Sequence, residues 1–170
     1  LLKSNIKPYY AIPGELIKNN HKIFRKVCNK VTFINHGYKV HTKYCDIKKR
    51  NYSLFSYSKL NKQEIQIDIR KGHEMINNFC NQTSTIFRTP HFGEYAETGN
   101  MKYIYEIIKE LGYKFSSSTP PIYSMIEAPI FSKNNIYELT SSSYVENPLQ
   151  IIDSWSIFDS KLNFNDLNNE

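Results

Sequence analysis

Two histidines, His36 and His41, stand five residues apart in Asn35-His36-Gly37-Tyr38-Lys39-Val40-His41. Neutral imidazoles are good zinc ligands, and two of them with a carboxylate and a water make a catalytic metal site. On a straight helix this spacing sets the two rings about 140° apart, from 3.6 residues per turn. In a loop leaving a strand, with Gly37 free to take unusual dihedrals, they could converge. The other reading is one hydrogen-bonded core histidine and one exposed histidine.

A second cluster lies downstream, in Ile86-Phe87-Arg88-Thr89-Pro90-His91-Phe92-Gly93-Glu94-Tyr95. Arg88 falls at the expected end of a strand and Pro90 stiffens the loop beyond it, which sets a fixed cation on a rigid rim. A buried Arg near a metal could hold a carboxylate base by bidentate hydrogen bonds. A surface ion pair is the competing role. Backbone amides around Phe92 and Gly93 could donate to a developing oxyanion. Tyr95 could stack on a sugar or pack in the core, and His91 is a weaker candidate inside the same loop. The lone Trp155, in Asp153-Ser154-Trp155, could line a carbohydrate cleft or simply pack. His21 and His73 read as exposed. Asp46 and Asp68 are available carboxylates that nothing nearby marks as a base.

These loops need a scaffold. Ile6 to Ile12 reads as a strand closed by a Pro13-Gly14 turn. Ile23, Phe24 and Val27 recur at helical spacing, and Val31 to Ile34 is a compact buried strand that delivers Asn35 and His36 at its end. Residues 42 to 60 are polar and read as loop. Asn61 with Glu64 makes a capping box for a helix carrying Ile65, Ile69, Ile76 and Phe79, which Gly72 weakens. Ser84 to Phe87 is the next strand. Met101, Ile104, Tyr105, Ile108 and Leu111 form a helical stripe that stops at Gly112. Tyr113 to Ser117 and Asn135 to Thr140 read as strands, with Ile122 to Ile130 irregular between them and open to including a strand. The polar tail after Phe158 reads as frayed. Alternating strands and helices imply an α/β fold with a parallel sheet or barrel. At 170 residues, with no linker or repeat, the chain reads as one domain.

Composition narrows the partners. The net charge of +6 is scattered apart from Lys48-Lys49-Arg50, so neither a basic patch nor a nucleic-acid module is present. The 13 Tyr and 10 Phe suit an aromatic core or a sugar-stacking cleft, although the base composition of the gene gives the same bias. Cys28, Cys45 and Cys80 have neither a disulfide framework nor a metal-pair spacing, and read as small neutral residues. No apolar run reaches the length of a membrane span.

In order and spacing these segments resemble the polysaccharide deacetylases, the NodB-homology group or carbohydrate esterase family 4. Asn35 to His41 is similar to that family's paired-histidine motif, and Phe87 to Tyr95 to its Arg-Pro-aromatic-Gly motif. Leu111 to Ser118 and Tyr137-Glu138-Leu139 resemble its later strands, and Asp153-Ser154-Trp155 loosely resembles its Asp/Trp motif. The resemblance runs over residues 5 to 158. It implies a distorted, incomplete (β/α) barrel and a divalent metal, most often zinc, with His36 and His41 as ligands. It also implies Arg88 orienting the base, the Phe92 amide assisting the oxyanion, and Tyr95 and Trp155 against an N-acetylated carbohydrate. The family's ligand histidines are four residues apart rather than five. Its Asp-Asp and Leu-x-x-His motifs are not found in the chain, which therefore reads as truncated at both ends. A non-catalytic carbohydrate-binding relative is the alternative.

Overall fold

The computed structural model describes residues 7–91 and 99–142. Its main sheet has six strands: β1 (Tyr9–Ile12), β2 (Thr32–Asn35), β5 (Ile86–Phe87), β6 (Phe115–Ser116), β7 (Ile130–Lys133) and β8 (Ile136–Leu139). Their order is β1-β2-β5-β6-β8-β7, parallel except for the β7–β8 hairpin. β2 is buried on both faces from Phe33 to Asn35, as a central parallel strand with helices on its faces should be. The expected alternation of strands and helices is therefore present.

The longest helix, α3 (Lys62–Cys80), starts at the expected capping box. The Asn61 side chain accepts from the Glu64 amide, and the Glu64 carboxylate accepts from the Asn61 amide, each at 2.9 Å. Ile65, Ile69 and Ile76 are fully buried while Ile67 is exposed, so the helical period prevails over the strand-like alternation of Ile65-Gln66-Ile67-Asp68-Ile69. α3 packs on α4 (Gly99–Glu110) through a core of Ile65, Ile69, Ile104, Tyr105 and Ile108 that reaches Phe87 and Ile136 on the sheet. A second cluster, Ile12, Ile17, Val31, Phe33 and Ile76, seats α1 (Gly14–Asn19) beside β1 and β2. The α4 stripe stops at Gly112, where φ is +82°.

Several expectations are corrected. Pro13 and Gly14 begin α1 rather than a turn, because the Gly14 and Glu15 amides donate to the carbonyls of Gly37 and Tyr38. After α1, α2 (His21–Arg25) forms from the predicted helical stretch. Residues 42 to 60 are not loop: β3 (Thr42–Cys45) and β4 (Arg50–Ser53) pair antiparallel, and a 3-10 turn comes next at Tyr57–Lys59. Their faces are too polar to show the alternation of a half-buried strand. The irregular stretch becomes α5 (Ile122–Ile126) and β7, joined to β8 by a tight turn with Asn134 and Asn135 at φ +52° and +63°. Cys28 is disulfide-bonded rather than a neutral thiol, whereas Cys45 is free. His73 is half-buried, not exposed, and bonds to the Tyr113 hydroxyl at 2.9 Å. Among the described residues no helix is long and apolar enough to cross a membrane.

Candidate active site

β2 and β5 are neighbours, so the loops leaving their C-terminal ends meet. One carries His36 and the other Arg88. The carboxyl ends of parallel strands are where α/β sheets build sites. The Arg88 amide donates to the Asn35 carbonyl at 2.9 Å, which carries the β2–β5 ladder up to the rim. His36 Nδ1 then lies 2.8 Å from the Arg88 carbonyl. A carbonyl only accepts, so Nδ1 carries the proton and Nε2 keeps its lone pair.

His41 returns to the same place. Its ring centroid is 4.5 Å from that of His36, with the planes nearly perpendicular. The return depends on Gly37 at φ +75°, a conformation that a side chain would strain. Inside the turn, the Asn35 side chain accepts from the Gly37 amide at 3.0 Å and donates to the Ile69 carbonyl and the Tyr113 hydroxyl. Outside it, the Lys39 amide donates to Asp68 at 2.8 Å and the Val40 amide to Glu15 at 3.0 Å.

His91 completes the cluster, its ring centroid 5.1 Å from that of His41. Its Nε2 lies 3.0 Å from the Ser53 hydroxyl of β4. Its backbone φ is +140°, and the Thr89 hydroxyl donates to its carbonyl at 2.6 Å. The hairpin β3–β4 therefore joins both rim loops, since the Leu54 amide also donates to the His41 carbonyl. Arg88 is half-buried and donates from Nη2 to the Ser141 hydroxyl at 3.3 Å.

Burial governs the charge here. It holds the His36 imidazole well below its ordinary pKa, helped by the nearby His41 and opposed by the bond to the Arg88 carbonyl. His41 is lowered to about 4, by burial first and by His91 second, with the Lys39 backbone opposing. Both rings are thus neutral near pH 7, the form that binds metals.

Two neutral imidazoles are donors of the type that a divalent metal takes. His41 Nδ1 is buried and makes no well-formed hydrogen bond, and a buried polar atom without one calls for a partner. Among the described residues, however, no group of three His, Cys, Asp or Glu side chains is arranged to hold an ion. Phe92, Tyr95 and Trp155 lie outside the described residues. Asp68, Asn35, Ser53 and the contact of His91 with His41 were not legible as site features. Only the position of Asn35 beside His36 hinted at one of them.

No family model matches the chain, and no curated protein matches it. Solved structures do. A Mycobacterium smegmatis protein assigned as a polysaccharide deacetylase is 14% identical, with a TM-score of 0.57 over 82% of this chain and 42% of that one. A mutant of a carbohydrate esterase family 4 pseudoenzyme, whose wild type comes from Bacillus anthracis, is 14% identical. Its TM-score is 0.50 over 94% of this chain and 53% of that one. A family 4 carbohydrate esterase from Streptomyces lividans, in complex with acetate, is 16% identical, with a TM-score of 0.49 over 69% and 50% of the two chains. The chain spans about half the length of the structures it matches. With its parallel sheet and its paired rim loops, the chain has the fold of the NodB-type polysaccharide deacetylases.

Proposed function

We propose that the protein is a metal-dependent hydrolase that removes N-acetyl groups from a carbohydrate. One observation carries this reading: two neutral imidazoles stand 4.5 Å apart at the ends of parallel strands, beside the loop that holds Arg88. His36 and His41 would hold the metal, most readily zinc, with a carboxylate from outside the described residues. Zinc bound there would supply a Lewis acid for the amide carbonyl and a water of lowered pKa. The Arg88 carbonyl fixes the His36 tautomer, so Nε2 keeps the lone pair that a metal would take. The Arg88 guanidinium would orient the carboxylate base, and the Phe92 amide would donate to the charge developing on the carbonyl oxygen. Tyr95 and Trp155 would stack on the sugar ring.

A second reading has its own support. The described residues supply two donors and no third, and a pseudoenzyme shares the fold over 94% of this chain. A non-catalytic carbohydrate binder would keep the cleft without the base. Zinc titration and acetate release from N-acetylglucosamine oligomers by the natural gene product separate the two. The hydrolase reading expects one zinc per chain and acetate release, with both lost in His36→Ala and His41→Ala. Oligosaccharide binding without acetate release selects the binder. A protein that takes up neither zinc nor oligosaccharide overturns both readings.

A further inference from the structure

Asp68 is a carboxylate 2% exposed, midway along α3, with a function of its own to explain. One oxygen accepts from the Lys39 amide at 2.8 Å and the other from the Tyr57 hydroxyl at 2.7 Å. Tyr57 is itself fully buried and stacks on Phe55, whose ring faces His41 at 6.3 Å. The carboxylate therefore grips the middle of the turn between the two histidines. The surrounding packing holds the turn close to the helix. A Cβ on Gly37 would collide with Asp68 and lie 2.6 Å from the Tyr57 hydroxyl. A Cβ on Gly72, one helical turn further along α3, would collide with Asn35 and lie 2.6 Å from the Gly37 carbonyl oxygen. The turn thus lies directly against the helix, with Asp68 as the one side chain of α3 that accepts from its backbone among the bonds described.

The geometry points to Asp68 as a positioning residue that sets the His36–His41 turn and so the approach of the two imidazoles. The inference rests on the proposed function only for what the histidines are positioned to do. Without Asp68 the Lys39 amide loses its buried acceptor, and the turn is free to carry His41 away from His36. The bond is part-buried, and a donor that loses its acceptor there is left short of a partner, so the turn would shift rather than persist.

The test compares Asp68→Ala, Asp68→Asn and Tyr57→Phe in the natural protein, with Ile69→Val as a packing control. Metal-free spectra of the histidine ring nitrogens and hydrogen exchange at the Lys39 amide are read beside zinc affinity. Asp68→Ala should speed Lys39 exchange at least tenfold, shift both ring resonances and weaken zinc at least tenfold. Asp68→Asn keeps an acceptor for Lys39 and can donate to the Tyr57 oxygen, so it should recover most of each readout. Tyr57→Phe should speed Lys39 exchange a few-fold, and it decides the matter if Asp68→Ala does not fold. Ile69→Val should leave the ring nitrogens unmoved. Unchanged ring resonances and Lys39 exchange in folded Asp68 and Tyr57 variants overturn the inference. If the wild type binds no zinc, the functional reading fails, while the metal-free readouts still decide the role of Asp68.

Discussion

His41 combines three properties at one residue: burial, neutrality and an orphaned ring nitrogen. Its pKa falls from 6.5 in an unfolded chain to about 4 in the fold. Between those values the unfolded chain binds a proton that the folded chain refuses, so acid favours unfolding. The contribution is fully present above pH 6.5 and is lost as the pH falls towards 4, a difference of roughly 3 kcal/mol for His41. His36 acts in the same direction. With metal chelated, urea midpoints should therefore drop between pH 7 and pH 4.5, and the drop should be smaller in His41→Gln. Equal slopes in the two proteins would contradict this account. The two histidines and Arg88 stood out in the sequence through their resemblance to a family's motifs, since spacing alone left a structural role open for each. Asp68 did not, because a carboxylate on a helix is ordinary until its acceptor role is seen across a turn twenty-nine residues away.

The elements show where pattern reading succeeds. α3 and α4 were legible because one face of each is buried throughout, and their ends carry a capping box and a glycine. The β3–β4 hairpin was not, since Lys43, Tyr44 and Tyr52 are exposed and no apolar face announces it. Gly72 shows propensity and packing in opposition. Alanine in the middle of a helix ordinarily gains about 1 kcal/mol over glycine. Here the added Cβ would meet the Gly37 carbonyl carbon at 2.7 Å, and backbone cannot step aside cheaply. Gly72→Ala should thus lower the melting temperature, by several degrees, instead of raising it. A thermal melt that moves upward would show that the turn yields more easily than its contacts suggest.

At the scale of the molecule, the disulfide at Cys28 was invisible to spacing, because a single bridge needs no motif. It predicts that alkylation of the denatured, unreduced protein labels Cys45 but not Cys28. Reduction should cost stability, by about 2–4 kcal/mol. Labelling of Cys28 without reductant would refute the bridge. Parallel order was legible from alternating strands and helices, but the adjacency of β2 and β5 was not, since strand order is a property of the folded sheet alone. That adjacency has a bearing on how such a protein can change over time. His36 and the Arg88 loop keep their separation because one strand spacing sets it, whatever the length of the chain that joins them. A lineage could reshape the hairpin tip or the far end of α3 and leave the cleft calibrated. A substitution that loosens the single β2–β5 seam would detune both loops at once.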